Sequence, residues 1–232
     1  MLDSRSGRSY DPNMQGTNPQ DERPLLGVLS ILTFATGFVD AASVLGLGHV
    51  FTANMTGNVV FLGFSLVGAG HVATVDCVVA LAAFLAGAAL GGRLAAMGVA
   101  FKTAVLLEAC VLLAATVVAW VSGDGAVNHL PVIALLASGM GIQNAAVRRL
   151  GVRDMTTTVL TLTLTGIAAD SWLAGGDNPR LGRRLASVVL MLFGGLAGAL
   201  LSSRGIRWTI AVAASLAFCG YIVAPRKPRP PP

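Results

Sequence analysis

The chain has 232 residues, of which 54% are hydrophobic and only 12% charged, and its mean hydropathy is +0.73. An average soluble domain carries about 25% charged residues, so half that share leaves too little polar surface to coat a globule in water. Composition thus excludes a soluble enzyme and makes lipid the solvent. The net charge of +5 comes from Lys and Arg scattered between apolar segments, with no dense stripe and no interleaved aromatics. It reads as membrane orientation rather than as nucleic-acid binding.

Residues 1–24 are polar and lack an apolar signal core, which predicts a disordered cytoplasmic tail. Residues 25–224 form one transmembrane domain with eight apolar segments: Leu25–Gly48, Val50–Gly68, Thr74–Leu90, Ala100–Val121, Pro131–Val147, Met155–Leu173, Leu185–Leu201 and Trp208–Ala224. Glycine-rich polar breaks such as Ser122-Gly123-Asp124-Gly125 separate most of them. Only Gly48-His49 parts the first two, too little for an aqueous loop between two full spans. Residues 225–232 are a Pro/Arg-rich cytoplasmic end. The three cysteines lie inside apolar stretches without metal-ligand spacing and read as small buried hydrophobes.

Positive charge selects the topology. Eight crossings would divide the Lys and Arg almost evenly between the two sides. If segments 50–68 and 155–173 instead enter the membrane and return, Arg93, Lys102, Arg148, Arg149, Arg153, Arg180, Arg183, Arg184 and both tails share one side. Arg204 and Arg207 alone stay on the other. Lys and Arg accumulate on the cytoplasmic side, so the expected fold is an all-α, polytopic transmembrane bundle of the cell membrane. It has six crossings, two broken or re-entrant segments, and both termini cytoplasmic.

The halves, about 25–125 and 126–224, resemble each other. Gly37-Phe38-Val39-Asp40-Ala41-Ala42 recurs as Gly141-Ile142-Gln143-Asn144-Ala145-Ala146, and Met55-Thr56-Gly57-Asn58-Val59 as Met155-Thr156-Thr157-Thr158-Val159. Gly87-Ala88-Ala89-Leu90-Gly91 recurs as Gly194-Gly195-Leu196-Ala197-Gly198. Three blocks in order indicate duplication. With an odd number of crossings per half, the repeat is inverted, an arrangement common among secondary transporters. The first-half block with Phe51-Thr52-Ala53-Asn54-Met55-Thr56-Gly57-Asn58, and the second-half Gln143-Asn144 and Thr156–Thr161 blocks, resemble the signatures of the DUF1275 (YoaK-like) family of bacterial integral membrane proteins. The resemblance covers about residues 25–223. It implies membrane location and importance of the two motifs, but brings no biochemical function with it. Thr161-Leu162 departs from the Thr-Gly of many members.

The candidate substrate- or ion-binding residues are Asp40, Asn54, Thr56, Gly57, Asn58, Gln143, Asn144, Thr156, Thr157, Thr158 and Thr161. Amides, hydroxyls and glycine suit a broken helix whose freed backbone groups need partners; they equally suit plain helix–helix adhesion. An intramembrane carboxylate at Asp40 points to function by its cost, with a structural hydrogen bond as the alternative. Glu108 is a second buried acid. Gly87, Gly91, Gly194 and Gly198 predict close helix packing, within the chain or between two copies. The sequence carries no nucleophile elbow, no P-loop, no dinucleotide fingerprint and no metal or cofactor motif. The reading is therefore a non-enzymatic small-solute or proton permease with a midplane polar site. The competing reading is a non-transporting membrane partner such as an assembly factor, sensor or subunit.

Overall fold

The computed structural model describes residues 19–69, 72–122, 129–151, 157 and 160–225, with side chains from residue 24 onward. These residues form α1 (Pro19–Gly46), α2 (Met55–Leu66), α3 (Thr74–Ala96), α4 (Phe101–Ser122), α5 (Leu130–Leu150), α6 (Leu160–Ala169), α7 (Leu181–Ser202) and α8 (Ile206–Val223), with one 3-10 turn at Trp172–Ala174. No strand occurs among the described residues. Six helices are long and apolar enough to cross a membrane: Pro24–Gly46 of α1, then α3, α4, α5, α7 and α8. With 12 and 10 residues, α2 and α6 reach about 18 and 15 Å, roughly half of a 30 Å hydrocarbon core.

Contacts at the helix ends fix the directions. Gly48, just beyond α1, packs on the carboxylate of Asp76 at the start of α3 and on His129 before α5. The start of α8 joins them, since Gly46 packs on Ile206 and Trp120 at the end of α4 meets Trp208 edge-on at 5.0 Å. The chain thus leaves α1 and enters α3 on one side, so α2 enters and returns. At the opposite ends, Gly27 of α1 lies against Val223 of α8, and Lys102 of α4 sits over the Tyr221 ring. The end of α6 is tied to the start of α7 on this second side by Arg184 and Asp170. Arg93, Lys102, Arg148, Arg149, Arg180, Arg183 and Arg184 therefore gather at one end, and Arg204 and Arg207 at the other, as the charge pattern predicts. Arg153 and residues 1–18 and 226–232 lie outside the described residues, whereas residues 19–24, expected as part of a disordered tail, form the first turns of α1.

Packing repeats the duplication. The pair α1–α7 matches α5–α3, α1–α8 matches α5–α4, α2–α3 matches α6–α7, and α4–α8 maps onto itself. The match extends to single residues. Gly194 rests on the Phe34 carbonyl as Gly87 rests on that of Ser138. Gly198 meets Phe38 and Ala41 as Gly91 meets Ile142 and Ala145. No Cβ fits at Gly87 or Gly194, so both glycine pairs are spent on crossings inside the chain. The first half of α1 (Val28, Leu32) packs on the second half of α5 (Ile142, Ala146), so these equivalent helices run oppositely. An inverted repeat related by a pseudo-two-fold axis in the membrane plane accounts for all of these contacts.

One boundary differs from the sequence reading. The break between the first two segments is not Gly48-His49 alone but residues 47–54. Gly48 and His49 do reverse the chain, both with positive φ (88° and 61°). The strand of loop that follows is held by side chains, so it needs no helix to satisfy its backbone.

Candidate functional site

The returning loop doubles back beside the last turns of α1. Asp40 Oδ1 accepts the backbone N–H groups of Thr52 at 3.2 Å and Ala53 at 2.9 Å. Asn58, fully buried on the first turn of α2, closes the other side: its Oδ1 accepts Phe51 N–H at 2.8 Å and its Nδ2 donates to Phe51 O at 2.6 Å. Thr52 is also fully buried, its hydroxyl 3.4 Å from that of Ser43. Two side chains thus satisfy four backbone groups of a non-helical segment inside the membrane, where each orphan costs several kcal/mol.

Beside this loop is a cavity of about 710 Å³ between α1, α2, α6 and α7, open along one side where Leu45, Val60 and Thr161 are exposed. Its polar lining is Asp40, Asn54, Thr56 and, from the second half, Thr161. Asn54 precedes α2 and makes no capping bond with its side chain. Phe51 and Phe61 add an aromatic wall, stacked at 5.8 Å and 9°. Gly57 fits under that wall: a Cβ there would stand 2.7 Å from the Phe51 ring. Small residues on α1 and α7, Gly37 and Gly195 among them, keep the space open. Since α2 and α6 each begin at the cavity and end at opposite membrane surfaces, two half-helix N-termini meet near the middle.

The structure divides the sequence candidates. Asp40, Asn54, Thr56, Gly57 and Thr161 line the cavity. Asn58 does not; it clamps the loop behind it. Gln143 is buried between helices and donates to the Thr36 hydroxyl at 3.1 Å, joining α5 to α1. Asn144 turns its amide to the Met140 carbonyl of its own helix at 2.8 Å. Thr157 is buried, whereas Thr156 and Thr158 lie outside the described residues. Glu108 sits fully buried in α4, and neither carboxylate oxygen meets a hydrogen-bond partner among the described residues.

Sequence reasoning missed the aromatic wall and the α7 contribution of Met191 and Gly195. Phe51 adjoins the Asn-Met-Thr-Gly-Asn motif, and Gly195 adjoins a repeated glycine, so adjacency was the available signal. It also missed two end clamps. Buried Asp76 meets His129 at 3.0 Å, and Arg184, itself nearly buried, bonds Gly166 O at 2.6 Å and Asp170 at 2.7 Å.

Fold and site together define a polytopic helical membrane protein built as an inverted repeat around two half-membrane helices. The chain belongs to the DUF1275 family, described as "Protein of unknown function (DUF1275)", which matches residues 28–223. It is similar to the UPF0700 transmembrane protein YoaK of Bacillus subtilis (strain 168), with 35% identity over 151 residues. That match covers 62% of this chain and spans 65% of the relative's length. No solved structure matches significantly.

Proposed function

We propose that the protein is a non-enzymatic small-solute permease of the cell membrane, with both termini cytoplasmic and Asp40 as its central polar group. One observation carries the reading: the broken α1–α2 segment delivers a carboxylate, an asparagine free of capping duty and a threonine, and α6 a second threonine, to one cavity between the repeat halves. Inverted-repeat transporters bind substrate at such a place, between discontinuous helices near the midplane. A carboxylate there can also exchange a proton, which makes solute–proton coupling the natural mechanism. The bonds from Asp40 to Thr52 and Ala53 favour a second reading, in which the carboxylate is structural and the protein is a non-transporting partner.

Proteoliposomes loaded with a pH-sensitive dye separate the two. A panel of amines, amino acids, carboxylates and polyols is added under an imposed pH gradient. At least one class should give a dye response that Asp40→Asn abolishes while the variant still reconstitutes. Solute flux equal in the wild type and Asp40→Asn would make Asp40 structural; no flux for any class would leave the partner reading standing.

A further inference from the structure

The lining of the cavity selects a solute. Among the described residues lining it, Asp40 is the one charged or titratable side chain; those of α2, α6, α7 and the loop before α2 are amide, hydroxyl, thioether and apolar groups. The nearby charges at the inner end, Arg184 and Asp170, are engaged with each other. The carboxylate is split in its duties. Oδ1 takes both loop amides, whereas Oδ2 receives no hydrogen bond among the described residues, although the side chain is more than nine-tenths buried and lines the cavity. An acceptor left open in such a place can take water, a proton or a cationic donor, and of these the cation gains most from the carboxylate charge. The walls beside it are aromatic and aliphatic: Phe51, Phe61, Val60, Leu45 and Met191. Ring faces attract ammonium groups and pack against apolar bodies.

The half-helix N-termini oppose this selection, since each bears about half a positive charge. On the α2 side that charge is met directly by Asp40, whose Oδ1 sits on the amides leading into the helix. Resting on the permease reading above, we infer that the cavity takes an organic ammonium ion with an apolar body, and that the ammonium and a proton compete for Asp40 Oδ2. The ammonium N–H donates to Oδ2 when the carboxyl is ionised. Protonation of that oxygen expels the cation, so one proton enters for each cation that leaves. This cavity volume suits a ligand of aromatic-amine size.

The test uses purified full-length protein in detergent and three probes of one shape: 2-phenylethylammonium, 2-phenylethanol and 3-phenylpropanoate. Calorimetry should show the ammonium binding at least tenfold more tightly than either of the others. Its affinity should fall as pH is lowered far enough to protonate Asp40, by up to about tenfold per unit where the proton is fully bound in the free site. Asp40→Asn, which retains an oxygen for the loop amides, should lose both the preference and the pH dependence. Should that variant not fold, Phe61→Leu in the intact protein should weaken the ammonium alone by about threefold to tenfold. Tighter binding of the carboxylate probe would show that the helix N-termini dominate, and would overturn the inference. So would pH-independent ammonium binding. In either case flux of another solute in proteoliposomes would leave the permease reading intact. Conversely, Asp40-dependent ammonium binding without flux would uphold the inference and refute the permease.

Discussion

Replacing Asn58 by Ala tests the returning loop where it is most dependent on one side chain. Asn58 is fully buried and holds both backbone groups of Phe51, N–H at 2.8 Å and C=O at 2.6 Å. Its remaining contact, Met55 Sδ at 3.5 Å, is weak. Leaving a buried donor or acceptor unpaired costs about 1–3 kcal/mol, so stranding two predicts about 2–6 kcal/mol. The cavity lies beside Phe51, and water entering from it would recover part of that loss. The expected value therefore falls at about 2–4 kcal/mol, a 30- to 800-fold change in the folded ratio. Titration with SDS in mixed micelles, extrapolated linearly as for other denaturants, reads the difference. Asn58→Asp should be at least as harmful, because its second oxygen would face the Phe51 carbonyl. A loss under about 0.5 kcal/mol for Asn58→Ala would mean that the loop is held by something else, and the clamp argument would fall.

Three further outcomes follow from the same structure. Gly87→Leu and Gly194→Leu should both abolish folded protein in size-exclusion profiles, because a backbone carbonyl occupies the Cβ position at each; Gly92→Leu, facing open space, should behave as wild type. A selective loss in only one of the first two would contradict the equivalence of the crossings. Glu108→Leu should raise stability by about 1–3 kcal/mol by removing an unsatisfied buried carboxyl of similar volume; a lowered SDS midpoint would reveal a partner or a bound solute at Glu108. In a variant lacking Cys77, Cys110 and Cys219, cysteines at Ala69 and Gly205 should label from one membrane side and Arg149→Cys from the other. Labelling of Ala69 from the Arg149 side would make α2 a full crossing.

The sequence spoke most clearly where lipid imposes a rule on every residue. Apolar segments gave eight candidates, and the Lys/Arg distribution, not length, separated the two re-entrant segments from the six crossing ones, since charge must be sorted by side. The glycine blocks were legible for a related reason: a carbonyl in contact excludes any Cβ, so both halves keep glycine there. The site was less legible. Asp40 and Asn58 stand in motifs of the same character, yet one opens on the cavity and the other faces a backbone strand. That division depends on how residues 47–54 turn back, and the turn is set by hydrogen bonds between positions 7 to 13 apart rather than by any local periodicity. Asp40 and Asn144 are equivalents in the repeat, but one is a carboxylate and the other an amide that donates to the Met140 carbonyl of its own helix. Phe51 and Phe61 looked like ordinary span residues, because an aromatic lining a cavity and one facing lipid have the same hydropathy.

The account rests on a water-accessible carboxylate site in the middle of the membrane, and cysteine chemistry reads that directly. In the cysteine-free variant, Thr56→Cys lines the cavity next to Asp40, whereas Val59→Cys and Leu113→Cys face outward on apolar surfaces. A charged, membrane-impermeant thiol reagent should modify Thr56→Cys at least tenfold faster than the other two, even though α2 places Thr56 about 15 Å from its outer end. Reaction at Thr56→Cys as slow as at Val59→Cys and Leu113→Cys would contradict the account, because the space around Asp40 would then be closed to water.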